Sequence, residues 1–402
     1  MKRLFTILAV AVLMGCQQSE QQAKYVFYFI GDGMGLAQVA LAEAWLADSA
    51  DEIGFEKLSF TDFPVMGTAT TFSVNNYITC SSAAGTALAT GHKTANGMLG
   101  VTTDSLDLEA ITYKIKKAGY RVGVSSTVTL DHATPGAFYA NAASRSDYYD
   151  IAVQLPQTGF DFFGGGGFVQ PEGKNKDQVS VLSLIEEAGY QIVYGIENFD
   201  ASAGAKKMIL LQDKELDCMG ALPYAIDRKE GDMTHASIIT AAIDFLENEK
   251  GFFLMSESGR IDWACHSNDG KTSILETLDL SDAVQVALEF AQKHPEETLI
   301  VVTADHETGG LTLGREGGYS IYFDQLAEQN ASKDMLLQTG DKEMTDQVAE
   351  MNNRARIGWT TSSHTGIPVP VYAMGAGSGL FSGRMDNTDI PKKICQAMGI
   401  IF

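Results

Sequence analysis

Cysteine is scarce in this 402-residue chain, which holds five. Cys16, Cys80, Cys218, Cys265 and Cys395 form neither a CxxC pair nor a dense pattern. That spacing excludes a thiolate zinc site and a disulfide-stapled scaffold, and the four after Cys16 are expected as free thiols. Positive charge is also short, with 29 Lys and Arg against 51 Asp and Glu, a net charge of −22. A surface of that sign repels polyanions, so no nucleic-acid partner is expected. Beyond the first 16 residues no apolar run approaches the roughly 20 residues that cross a bilayer as a helix. Internal repeats are missing too, and the only biased tracts are QQSEQQA at 17–23 and four glycines at 164–167.

The amino terminus carries Lys2 and Arg3, an apolar run over residues 4–14 broken by Thr6, and then Leu13-Met14-Gly15-Cys16. A basic start, a short apolar core and a small residue before the cut suit an export signal. The pattern resembles a bacterial lipobox, with residues 1–16 as the signal and Cys16 as the lipidated first residue of the mature chain. A plain secretory signal and a buried first strand are the alternatives. Residues 17–23 are then a polar tether, and the chain's one link to membrane is the lipid. The expected location is the cell envelope, on a periplasmic or cell-surface face. Removal of Lys2 and Arg3 takes the net charge to −24.

The remaining chain has the apolar content of a globular protein, enough for one large core. Residues 24–30, KYVFYFI, form a β-branched and aromatic run that stops at Gly31-Asp32-Gly33-Met34-Gly35, before an alanine-rich helix over 36–46. A buried strand that delivers an Asp into a glycine turn ahead of a helix is the opening unit of a parallel α/β sheet. Ligands bind such sheets at the carboxyl ends of the strands. Two more apolar strands end in acids: residues 251–255 lead to Glu257 and Asp262, and residues 298–302 lead to Asp305-His306. The strand over 121–127 runs into Asp131-His132-Ala133-Thr134-Pro135, with Arg145 one helix further on. Residues 164–167 are expected as a flexible loop. Residues 315–356, polar and weakly periodic, are expected as a small insertion capping one domain that spans 24–402.

Asp32, Glu257, Asp262, His266, Asp305, His306 and His364 therefore fall at strand ends or in the loops just after them. Mixed Asp and His ligands without thiolates suit zinc beside a harder ion such as magnesium. Two metals about 4 Å apart can bind both oxygens of an in-line displacement, and Arg145 can clamp phosphoryl oxygens with its planar fork. The nucleophile belongs in residues 78–100, ITCSSAAGTALATGHKTANGMLG, where Ser81 or Ser82 enters a helix of small residues. A serine there holds its hydroxyl near the amides of the first turn, where an anion is stabilised. As a bare sequence feature the same serine is a helix cap.

The order GDGMG, SSAAGTALATGHKTANG, DHATP with a later SR, ESGRIDWACH, TADHETGG and SSHTG resembles the alkaline phosphatase family over most of residues 25–375. The resemblance implies a three-layer α/β sandwich with a mostly parallel central sheet flanked by helices. It implies hydrolysis of small phosphate monoesters through a phosphoserine. The family's serine lies ten residues before the glycine that precedes xKTxNG, which makes Ser81 the nucleophile. Asp262, His266 and His364 resemble the ligands of a first zinc, and Asp32, Asp305 and His306 those of a second. Asp32, Thr134 and Glu257 resemble a third site, magnesium in the family, and Arg145 the phosphate-binding arginine. Most relatives are dimers, so a homodimer is the expected assembly.

Three positions depart from the best-known bacterial pattern. Cys80 stands where an acid orients the arginine. His132 stands where some members have an Asp near the third metal, which leaves that ion's identity open. Trp263 replaces a Lys or His that contacts phosphate through water. Rival readings are a phosphodiesterase or sulfatase on the same fold, and a lipid-tethered module that binds metal or phosphate without turnover.

Overall fold

The computed structural model describes residues 22–212 and 220–402. Its centre is the strand Tyr25–Gly31, all seven residues of which are buried. Val, Ile and aromatic side chains fill both faces of this strand, as a parallel sheet covered by helices requires. Tyr25 and Phe27 pack against Phe252 and Phe290 with ring centroids 5.0–5.6 Å apart.

Ten strands form the main sheet. Their spatial order is Gly383–Asp386, Val65–Thr70, Val369–Gly375, Thr298–Thr303, Tyr25–Gly31, Phe252–Ser258, Arg121–Ser126, Phe162–Gly165, Met208–Leu211 and Gln191–Tyr194. Only Val369–Gly375 runs against the rest; it pairs antiparallel with both neighbours. The register at the centre decides where function can sit. Ile30 lies opposite Glu257 on one side and Thr303 on the other, so Asp32, Glu257 and Asp305 emerge at the same edge. On the helical layers, Gly270–Lys293 is the longest element, and Asp269 caps it by accepting from Thr272 N at 3.1 Å.

Several expectations need correction. The glycine run is no flexible loop: Gly164 and Gly165 end the buried strand Phe162–Gly165, and all four glycines are buried. A Cβ on Gly165 would sit 2.7 Å from the Ser126 carbonyl oxygen, and one on Gly164 would sit 2.8 Å from Ile238 Cγ2. Glycine there serves close packing. The proposed tether is also too long at its inner end. Ala23 is fully buried and its N–H donates to the Ala397 carbonyl at 2.8 Å, so Ala23 belongs to the body. The signal, Cys16, residues 17–21 and Cys218 lie outside the described residues.

The insertion is more ordered than its pattern implies, since it contains the helices Lys333–Thr339 and Lys342–Ala355. Polar Thr345 and Asn352 share the buried face with Val348, Met351 and Ala355, which blurs the apolar period. Asn352 Oδ1 accepts from Gly270 N at 3.1 Å and from Trp359 Nε1 at 3.3 Å. Phe323, Leu326, Met351 and Ala355 form a second small core with Leu41, Ala44 and Ile274 of the main body. Two strands carried no clear signal. Gly383–Asp386 is an edge strand and Val65–Thr70 lies next to it, and in both, half-exposed faces and polar residues mask the pattern. Among the described residues Cys80, Cys265 and Cys395 are free thiols, and no helix is long and apolar enough to cross a membrane.

Gly165→Ala should lower stability by about 1–3 kcal/mol, because the backbone carbonyl facing the new methyl cannot swing away. A urea midpoint equal to that of the parent protein would refute this account of the glycine strand.

Candidate active site

Three loops at the carboxyl edge are tied to one another by backbone contacts. Asp32 N donates to the Ser258 carbonyl at 3.1 Å, and Thr308 N donates to the Gly33 carbonyl at 3.1 Å. Gly33 takes a φ of +75°, and a Cβ there would lie 2.9 Å from Asp262 Cα. Both the conformation and the close approach require glycine at this turn. Its N–H donates to Asp305 Oδ1 at 3.2 Å. Asp262 and His266 sit one turn apart on the short helix Arg260–His266, directly after the strand that delivers Glu257.

The imidazoles converge with their Nε2 atoms inward. His266 and His364 approach Nε2 to Nε2 at 3.1 Å. His266 Nδ1 lies 2.7 Å from the Ser362 carbonyl, and His364 Nδ1 lies 2.9 Å from the Thr79 carbonyl. A carbonyl only accepts, so each Nδ1 carries the proton and each neutral Nε2 is a bare lone pair. His306 follows the same rule. The Thr308 hydroxyl donates to Asp262 Oδ1 and thereby accepts from His306 Nδ1 at 3.2 Å. His306 Nε2 then faces Asp305 Oδ2 at 3.1 Å and Asp32 Oδ1 at 3.5 Å. Asp262 lies 3.3 Å from His266 Nε2 and 3.7 Å from His364 Nε2.

Acceptors facing acceptors repel unless a cation lies between them. Both oxygens of Asp32, Asp305 Oδ2, Glu257 Oε1 and Thr134 Oγ1 are buried without a hydrogen-bond partner. Burial, reinforced by the charges of Asp305, Asp262 and Glu257, pushes the Asp32 carboxyl well above its ordinary range. Burial likewise raises Glu257 to about 7, against a hydrogen bond from Ser126. Burial raises the Asp262 carboxyl, yet a hydrogen bond from His266 and the charges of His306, His266 and His364 when protonated hold it below the usual range. The same hydrogen bond pushes His266 up to about 9, so without a cation that ring takes up a proton in its place. Metal-binding geometry accounts for the whole set. Asp262, His306 and His364 form one group of converging ligand atoms, Asp32, Asp305 and His306 a second, and Asp32, His132 and Glu257 a third. His266 adjoins the first through its 3.1 Å and 3.3 Å approaches.

Ser81 opens the helix Ser81–Thr90, every residue of which is buried. Its Oγ lies 3.3 Å from His306 Nε2. Small residues let this helix press on the one that carries Thr134: a Cβ on Gly85 would lie 3.3 Å from Thr134 Cα. Gly91 ends the helix at a φ of +68°.

The alkaline phosphatase family model matches residues 23–182 and 168–400. This chain belongs to the alkaline phosphatase family. It is 30% identical to alkaline phosphatase 3 of Bacillus subtilis (strain 168), over 94% of this chain and 90% of that one. It is 29% identical to the alkaline phosphatase of Escherichia coli (strain K12), over 95% and 87%. Among solved structures, a cold-active alkaline phosphatase from a psychrophilic Shewanella superposes with a TM-score of 0.81 at 31% identity, covering 93% of this chain and 99% of that one. A variant of the TAB5 alkaline phosphatase, from an Antarctic bacterium, with magnesium bound in its M3 site gives 0.75 at 29%, covering 95% and 99%.

In this phosphatase, Cys80 precedes the helix, and its Sγ accepts from Gly97 N at 3.1 Å and touches Ser82 Oγ at 3.2 Å. Burial raises the thiol pKa, yet hydrogen bonds from Ser82 and the Ala83 and Gly97 amides, with Arg145 nearby, bring it below the ordinary value. Arg145 is half-buried and has an unexpected partner, His132, whose Nε2 accepts from its guanidinium at 3.2 Å. Burial and the Arg145 charge keep His132 neutral, with a pKa near 3. Trp263 meets the His132 ring edge-on, with centroids 5.7 Å apart. The phosphatase thus brings Ser81, Arg145, His132, Trp263 and the converging carboxylates and imidazoles to one edge of the sheet.

Sequence reasoning missed the supports: Thr308, Ser126, Gln38 and the carbonyls of Thr79 and Ser362. Thr308 follows His306 by two residues in TADHETGG, but only the fold reveals that it bridges to Asp262. Thr308→Val removes that bridge and the acceptor for His306 Nδ1. It should weaken metal binding about 10–100-fold, the usual cost of losing a ligand's orienting partner. Chelator competition that leaves the affinities unchanged would refute the role.

Proposed function

We propose that this enzyme hydrolyses phosphate monoesters through a phosphoserine at Ser81. The observation that carries the reading is the Ser81 hydroxyl at a helix N-terminus, 3.3 Å from an inward lone pair of His306, beside the cluster of unpaired acceptors. Ser81 Oγ gives up its proton to solvent and bonds to phosphorus as the ester oxygen departs with the electron pair of the broken bond. The departing alkoxide takes a proton from water and leaves as the alcohol. A water then bonds to phosphorus and loses a proton, the Ser81 oxygen leaves with the electron pair of its bond to phosphorus and takes up a proton, and inorganic phosphate is released.

Asp262, His266 and His364 would hold one zinc, and Asp32, Asp305 and His306 a second. Asp32, Thr134 and Glu257 would hold a third ion. Magnesium is favoured there by the oxygen donors and by the TAB5 variant, while His132 Nε2 would have to leave Arg145 before the ring could offer the ion a nitrogen. When bound, such ions supply the positive charge that acidifies a serine hydroxyl and stabilises a leaving alkoxide. Arg145 would grip two phosphoryl oxygens, and the first-turn amides of the Ser81 helix would favour the anion. A diester has one fewer free oxygen for that grip, which favours the monoester. Arg145 is bonded to neutral His132, and Cys80 supplies no carboxylate to orient it, so product phosphate should be held loosely. The enzyme is read as an exported lipoprotein acting on small phosphorylated substrates in the envelope.

With zinc and magnesium supplied, nitrophenyl phosphate should be cleaved fast and the matching diester slowly; the opposite order would move the assignment to a phosphodiesterase. Ser81→Ala should lower kcat by about 10³-fold or more and abolish acid-stable labelling by radioactive phosphate. Cys80→Asp and Trp263→Lys should each tighten inhibition by inorganic phosphate. Unchanged inhibition constants in both would contradict the loose-product account.

A further inference from the structure

Where the chain enters the body, and how little of it remains outside, bear on which phosphate esters can reach the site. Gln22 lies over Gly399, Ala23 is bonded to Ala397, and Lys24 N donates to the Glu297 carbonyl at 2.7 Å. These contacts are all at the amino edge of the sheet. Asp32 is eight residues further along the central strand, which places the ligand cluster about 26 Å away at the opposite edge. His266, whose side chain is 38% exposed, marks the opening of the site on that far edge.

A chain of roughly 380 residues packs to a radius of gyration near 21 Å, equivalent to a sphere of radius about 27 Å. Turning the opening toward the membrane means leading the tether around half of that sphere, a path of about 85 Å on the same estimate. Residues 17–21 are the only ones between Cys16 and Gln22. Fully extended they reach about 20 Å, whatever conformation they take. Electrostatics works in the same direction, because a mature charge of −24 is repelled by anionic lipid.

We infer that the anchored enzyme cannot act on phosphate groups of the bilayer that holds it, and that its substrates are water-soluble phosphate monoesters arriving from the aqueous side. This rests on the phosphomonoesterase reading above and on lipid attachment at Cys16. The tether works as a restriction on substrate as well as an attachment.

The full chain, purified from membranes with its lipid, would be placed in vesicles that contain long-chain phosphatidic acid, and nitrophenyl phosphate would be added outside. The expected result is turnover of nitrophenyl phosphate at the rate seen in detergent, with phosphate release from the lipid at least about tenfold lower than in a variant carrying roughly 60 Gly and Ser residues after Gln21. Lipid hydrolysis at equal rates by the two proteins overturns the inference. An extended variant that still spares the lipid overturns it too, since reach would not then be the limit. So does a chain recovered without lipid on Cys16. Failure of the phosphatase reading is distinguishable, because nitrophenyl phosphate would then survive in every sample.

Discussion

Lone pairs pointed at lone pairs are the constraint on which the rest of this structure depends. Three imidazole Nε2 atoms and the oxygens of Asp32, Asp262, Asp305 and Glu257 converge in a site that is closed to water except on the side of His266 and His364. Left to themselves such groups would repel, take up protons or draw in solvent. They stay because the backbone leaves them no choice. The register of three adjacent parallel strands fixes their origins, and the glycine turn at Gly33 brings two of the loops within van der Waals distance.

The second tier of contacts converts that crowding into a site of definite chemistry. Each histidine has its proton fixed on Nδ1, by the Thr79 carbonyl, the Ser362 carbonyl or the Thr308 hydroxyl. Tautomers set in this way present donor atoms to a cation without reorganisation when it binds. Glu307 performs a similar task for the loop itself. It accepts from Gly310 N and Leu311 N, each at 3.2 Å, from the Thr365 hydroxyl and from Gln38 Nε2. The two-stranded pairing of His364 with Thr308 thus rests on a carboxylate that faces away from the metal-ligating cluster.

Much of the fold was legible in the sequence because buried parallel strands must be apolar on both faces. YVFYFI, FFLM and TLIVV could hardly be anything else, and the acids that follow each run could only lie at the carboxyl edge. The carboxylates that converge at that edge were legible for the same reason. What escaped was whatever depends on neighbours. The strand made partly of Gly164 and Gly165 reads as a loop because glycine's usual meaning is conformational freedom, whereas here it answers to the Ser126 carbonyl and Ile238. The Arg145–His132 contact escaped because two residues 13 apart, one capping a short helix and one in a turn, carry no spacing rule. Gly383–Asp386 escaped because an edge strand need not be apolar, and Val65–Thr70 because its side chains are only partly buried.

The helix that begins at Ser81 has a consequence for how the enzyme comes into being. Its ten residues are Ser, Thr, Ala, Leu and Gly, with Gly85 in the interior, where glycine costs about 1 kcal/mol relative to alanine. It has no side-chain cap and no charged residue to offset its dipole. A ten-residue helix of that kind has little tendency to form alone in water. Its order comes from burial on every side, against elements drawn from distant parts of the chain. The Ser81 hydroxyl therefore takes its place only once the sheet and its covering layers have closed, so a partly folded chain does not yet present it beside His306.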